Sequence, residues 1–244
     1  MADFQNTIDL LGEEAFIKAF VDRIITEFND DVIATVGRSA FSGCSQLTSV
    51  NLPLATSVDG YAFSGCSQLT SVNLPLATSV GDYAFQSCTK LTSVNLPSVT
   101  SISQYAFKKC SQLTSVNLPL ATSAGSFTFD SCTKLTSIDL PLATSVGSYT
   151  FNGCSQLTYV ILRAETVCTL NNTNAFKNTP FASGKAGGTL LVPRALVTKY
   201  PNATNWSSIF SGNTNNRVLA LEDYTVDGTI TGEIDWDKLN GGTT

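Results

Sequence analysis

Six cysteines, Cys44, Cys66, Cys88, Cys110, Cys132 and Cys154, stand 22 residues apart. Phenylalanines precede them by three at 41, 63, 85, 107, 129 and 151, and leucines follow by three at 47, 69, 91, 113, 135 and 157. Behind these run Val50, Val72, Val94, Val116, Ile138 and Val160, each two residues before a leucine at 52, 74, 96, 118, 140 or 162. A phase held without a slip over six units restricts the chain to stacked repeats, because one 22-residue unit cannot bury its own apolar side.

Within a unit, "LTSVNLP" alternates inward Val50 and Leu52 with outward Ser49 and Asn51, the period of a strand. The prolines at 53, 75, 97, 119 and 141 remove a donor and end it. "LATSV" then crosses the back with Val58 inward, and "GYAFSGC" turns the chain home. No stretch in a unit has the length of a helix, so the expected fold is a right-handed, β-dominated leucine-rich repeat solenoid.

The ends differ from the middle. Residues 8–27 place Leu11, Phe16, Phe20 and Ile24 on one helical face, so residues 1–35 are expected to form a helical cap, with Val36 in phase with Val58. Residues 36–162 form the solenoid. Residues 163–224 hold a last echo of the repeat, "AFKNTPF", displaced by three residues, and a mixed cap. In that cap "GTLLVPRALVTKYPNATNW" reads as a strand and a short helix begun by Pro193, with "NRVLALEDY" as a closing strand. Residues 225–244 are expected to be a loosely held tail that only Val226, Ile230, Ile234 and Trp236 can anchor.

The stretch "AFSGCSQLTSVNLPLATSVGDYAFQSC" resembles the BspA-like, or Treponema pallidum type, leucine-rich repeat family. It carries that family's A-F-x-x-C, L-x-x-(V/I)-x-L-P and (V/I)-G-x-x-A-F elements, and "LLVPRALVTKYPNATNWSSI" is similar to its closing module. The resemblance covers about residues 36–221. It implies a bacterial cell-surface or secreted protein that adheres to proteins or to other cells. The N-terminus has no basic region followed by an apolar one, so no secretory signal is expected, and cytoplasmic or particle-associated residence is the other expectation.

Charged residues are only 14% of the chain and net charge is −5, so the surface is expected to be neutral and rich in hydroxyls and amides. Phosphate neutralisation, and with it nucleic-acid binding, has no basis here. Histidine is absent, which removes Ser–His and Cys–His nucleophiles and imidazole metal sites. Neither cofactor nor metal is expected, no apolar run is long enough to insert in a membrane, and a uniform repeat offers no single odd constellation for catalysis. All seven cysteines are expected to be reduced, the column acting as small buried apolar groups.

The candidate ligand surface is the outward face of the strands, expected to be concave. It comprises Ser49, Asn51, Ser71, Asn73, Ser93, Asn95, Ser115, Asn117, Ser137 and Asp139, ending in Tyr159 and Ile161. Evenly spaced amides and hydroxyls suit hydrogen bonds to an extended extracellular glycan or protein; stacked side chains that satisfy one another are the competing reading. Where the pattern breaks, Tyr159, Ile161, Arg163 and Glu165, with Tyr200 and Trp206 of the cap, form either an aromatic-rimmed spot or simply a cover for the last coil. The expected function is a monomeric, non-enzymatic binding or adhesion module, the alternative a structural component of an assembly such as a phage tail.

Overall fold

The computed structural model describes residues 24–182 and 184–241. Its strands are β1 (Glu27–Asn29), β2 (Thr35–Val36), β3 (Ser49–Asn51), β4 (Ser57–Val58), β5 (Ser71–Asn73) and β6 (Ser79–Val80). They continue as β7 (Ser93–Asn95), β8 (Ser101–Ile102), β9 (Ser115–Asn117), β10 (Ser123–Ala124) and β11 (Ser137–Asp139). β12 (Ser145–Val146), β13 (Tyr159–Ile161), β14 (Thr169–Leu170), β15 (Thr189–Val192) and β16 (Arg217–Ala220) complete the set. The fold is a parallel β-solenoid of the leucine-rich repeat type, with no helix between residues 24 and 162.

Each coil has three sides. The first is the three-residue S-x-N strand, whose middle residue turns inward; Val50, Val94 and Ile138 are buried. The second is the two-residue strand after the proline turn, and these short strands make one unbroken parallel sheet from β2 to β14. The third is the turn through the Phe and Cys columns, laced by amides donating forward to the next coil, as from Phe41 to Ala62 (2.7 Å) and Phe63 to Ala84 (2.7 Å).

Between these sides lies one continuous apolar core. The buried Phe rings stack from Phe41 to Phe151 with centroids 5.1–5.8 Å apart. An outer column, Tyr61, Tyr83, Tyr105, Phe127 and Tyr149, stacks more closely at 4.4–4.7 Å. Its members have positive φ between 57° and 61°, a region costly for bulky side chains. Inter-ring contact of this kind contributes about 0.5–1.5 kcal/mol per pair and offsets that cost.

All seven cysteines are buried and none is in a disulfide. Each thiol from Cys66 to Cys154 donates to the carbonyl of the Phe 25 residues earlier, at 3.1–3.2 Å. Burial pushes the thiols of Cys110 and Cys154 up to about 12. In the displaced last unit Phe176 stacks on Phe151 at 5.4 Å, and Thr179 occupies the cysteine position, its hydroxyl donating to the Phe176 carbonyl.

The helix expected over residues 8–27 lies outside the described residues up to position 23. Its last residues are not helical. Ile24 is exposed, and Glu27 opens β1, which pairs in register with β3 through Glu27↔Ser49, Phe28↔Val50 and Asn29↔Asn51. The coil ladder therefore starts one unit earlier than the cysteine register indicates. Val36 pairs with Val58 as expected.

At the other end, β15 and β16 extend the first side as parallel strands, and Pro193 introduces a 3-10 turn at Arg194–Leu196. Helix α1 (Trp206–Gly212) closes the core with Trp206, whose indole donates to the Cys168 carbonyl at 2.8 Å.

Candidate ligand face and its closed end

The outward residues of the first side divide column by column. The Thr hydroxyls bond backward to the preceding coil, Thr48 to Thr26, Thr70 to Thr48, Thr114 to Thr92 and Thr158 to Thr136, at 2.8–3.3 Å. The column satisfies itself at these four positions, whereas Thr92 and Thr136 make no side-chain hydrogen bond among the described residues. The amides do so only in pairs: Asn73 donates to Asn51 (2.6 Å) and Asn117 to Asn95 (2.7 Å). The serines at 49, 71, 93, 115 and 137 make no side-chain hydrogen bond among the described residues.

The pairing of the amides follows the backbone. The first-side ladder is intact from β1 through β5, between β7 and β9, and from β11 to β16, but opens between β5 and β7 and between β9 and β11. At these junctions the middle residues Val72 and Val116 are half-exposed. No side-chain hydrogen bond links Asn73 to Asn95 among the described residues, so the Asn73 amide oxygen and the Asn95 amide nitrogen face outward there without protein partners.

The C-terminal end of the face is covered. The chain after β16 returns across it, held by an antiparallel bridge Thr225↔Ile234 and a short helix α2 (Trp236–Leu239). Ile234 and Leu239 pack with Ile161, Leu191 and Leu221 in a second apolar cluster. Arg163 fixes the return: it donates to Asp139 from Nε (2.9 Å) and Nη2 (2.7 Å), and from Nη1 to the carbonyls of Ile230 (2.7 Å) and Gly232 (2.9 Å). The Tyr159 hydroxyl donates to Asn240 Oδ1 at 2.7 Å, and its ring meets the Trp236 indole edge-on at 5.5 Å.

Three expectations change accordingly. The tail is docked as far as residue 241, and its anchors are Ile234 and Leu239, whereas Val226 is 72% exposed and Trp236 40%. Ile161 is 1% exposed and cannot meet a ligand. Tyr200 and Trp206 do not join Tyr159 in a surface spot; both are fully buried, Tyr200 accepting from the Cys168 amide at 2.9 Å, which is the cover role. Trp236 takes the position beside Tyr159 instead. Asp139 and Tyr159 remain half-buried at the tail's margin.

Between tail and ladder, at the open β9/β11 junction, lies a cleft of 270 Å3. Ser115, Val116 and Ser137 line it from the ladder, Glu233, Ile234 and Trp236 from the tail, and the paired Arg163 and Asp139 also border it. No group of acidic residues or cysteines with metal-binding geometry exists among the described residues, and no described helix is long and apolar enough to cross a membrane.

The chain matches the BspA type leucine rich repeat region in six copies, over residues 2–89 and 78–189, and belongs to that family. It is similar to a leucine-rich repeat protein from Eubacterium ventriosum at 23% identity over 55% of this chain and 44% of that one, with a TM-score of 0.48. The Treponema pallidum leucine rich repeat protein is 24% identical over 63% of this chain and 82% of its own, TM-score 0.46. A leucine rich cell surface protein from Faecalibacterium prausnitzii is 18% identical over 70% of this chain and 66% of its own, TM-score 0.43. Among curated proteins none matches.

Proposed function

We propose that this protein is a non-enzymatic binding module of the adhesion type, which takes an extended extracellular ligand along the exposed S-x-N face from Ser49 to Asn117. The observation that carries this reading is the unequal satisfaction of its polar columns. Were the copied polar residues only there to pair with one another, the serines would bond within the intact ladder segments as threonine and asparagine do. Instead, serine hydroxyls and the amide groups at the open junctions are left to bond outward. Hydrogen bonds of about 0.5–1.5 kcal/mol each accumulate along such a face into affinity for a periodic ligand. Residence at the cell surface accords with this reading and with the family.

The test is capture of the purified chain on arrays of glycans and extracellular matrix proteins, compared with Asn73→Lys and Asn95→Lys. Both positions are exposed strand sites, so the far-UV circular dichroism and melting temperature should be retained while captured signal falls at least tenfold. Capture unchanged in both variants refutes the ladder as the binding surface.

One observation favours the alternative, a part of an assembly. Leu54, Leu76, Leu120 and Leu142 form an exposed column at the proline turns, each 43–49% accessible. Light scattering at rising concentration decides it: a monomer throughout excludes self-assembly through this column.

A further inference from the structure

The cleft between the tail and the β9/β11 junction differs from the rest of the face in having two walls and an aromatic surface. We infer that it is a carbohydrate subsite, seating one neutral pyranose ring of a glycan. The inference deepens the reading of the S-x-N face as a binding surface, because the cleft is the closed end of that face.

The groups that reach it define the ligand's chemistry. Ser115 and Ser137 present hydroxyls, each a donor and an acceptor, that have no protein partner among the described residues. Glu233 presents an exposed carboxylate outside every ion pair of the described residues, a strong acceptor for vicinal hydroxyls. Trp236 leaves much of its indole open, a flat apolar surface for the C–H face of a sugar, and Val116 and Ile234 add an apolar lining. A volume of 270 Å3 is the room of about nine waters, near that of one pyranose with its hydroxyls.

Charge selects against the other occupants. Arg163 is committed to Asp139 and to two tail carbonyls, so it has little left to draw an anion, and Glu233 repels one. An ammonium group finds one uncompensated carboxylate, because the Arg163–Asp139 pair carries no net charge, and a single exposed carboxylate in water holds it only weakly. A neutral polyhydroxylated ring uses every group present.

The chain has two tryptophans, and Trp206 is fully buried, so a fluorescence change on titration reports Trp236. The full chain is titrated with cellotetraose, chitotetraose, mannotetraose and galactotetraose, by fluorescence and by calorimetry. The expected result is saturable binding of at least one of them, with Kd near ~1 mM. Trp236→Ala should weaken it about tenfold. Ser137→Ala and Glu233→Gln, which touch no tail anchor, should each weaken it severalfold with the tail's hydrogen-exchange protection unchanged. No saturable binding of any of the four up to ~20 mM overturns the inference. Binding abolished by Asn73→Lys but indifferent to Trp236→Ala and Ser137→Ala also overturns it, while leaving the ladder reading intact. Binding of tetralysine in place of the sugars, lost in Glu233→Gln, overturns it in favour of a cationic peptide.

Discussion

Strands β3, β5, β7 and β9 and strands β11, β13, β15 and β16 belong to the same side of the same solenoid, yet their outward residues are used in opposite ways. In the first group the outward positions are small and polar, repeat every 22 residues and are exposed or, at Ser49, half-buried. In the second they are Asp139, Tyr159, Ile161 and Leu191, and the tail lies on them. The backbone is the same; only the side chains decide whether the face is surface or interface. An inward Val or Leu is required by the core in every coil, so it says nothing about function. An outward residue answers only to what lies outside, and Ile161, apolar on an outward face, reports its partner 73 residues further on in Ile234.

The largest expected break in this comparison is alkaline. Burial raises the thiols of Cys110, Cys154 and Cys168 from an ordinary 9.0 to about 12, and those of Cys88 and Cys132 well upward. A group with a raised folded value contributes stability that is complete below its unfolded value and lost as pH climbs, here between 9.0 and 12. With several thiols titrating together, the coil stack should melt cooperatively in that window. The tail carries the opposite sign. Asp227, held below its ordinary 3.8 by the Thr229 amide and hydroxyl, contributes above that value and loses its contribution as pH falls below it. Circular dichroism across pH, with hydrogen exchange on residues 225–241, checks both: alkali should take the array, and acid should loosen the tail first. An array untouched up to pH 12 contradicts the buried-thiol account.

A smaller break is Phe107→Ala. Its ring is fully buried between Phe85 and Phe129, and truncation of this kind costs about 3–5 kcal/mol. Because a solenoid is stabilised by neighbour contacts, the loss should fall on the coils to either side. Urea unfolding should split into two transitions, one for the weakened centre and one for the C-terminal coils that the cap and tail hold. A single transition with an unchanged midpoint contradicts this.

The array was legible in the sequence because periodicity multiplies a weak signal: each Cys, Phe, Leu and Val column fixed a position in the coil. The first coil was hidden by a competing signal. "TEFN" at residues 26–29 stands 22 before "TSVN", but the helical spacing of the preceding apolar residues ran across it, and tertiary pairing with β3 decided the outcome. The closed end was half legible. Tyr159, Ile161 and Arg163 visibly broke the columns, but a single copy of the tail has no period to align, and its contacts with Arg163 span 67 and 69 residues. The sequence marks Trp236 as an apolar anchor, whereas its use as an open wall depends on α2 being set beside Tyr159.

Arg163→Ala gives the sharpest version of the comparison, since it acts on one region alone. The guanidinium is mostly buried and bridges ladder and return with four hydrogen bonds, two to Asp139 and two to the tail carbonyls of Ile230 and Gly232. Removing it strands those carbonyls and leaves Asp139 without its counter-ion. A fully buried pair broken this way costs about 3–5 kcal/mol, but Asp139 is a third exposed and water takes up part of the loss, so about 2 kcal/mol is expected. That is enough to shift the tail toward release without touching the coils. Hydrogen exchange should therefore rise at residues 225–241 and stay unchanged from Ser49 to Asn117, and sugar binding in the cleft should weaken because Glu233 and Trp236 leave with the tail. Binding along the open ladder should persist. If exchange instead rises throughout the array, the tail is a structural cap on the solenoid, and the division between an open ligand face and a closed end does not hold.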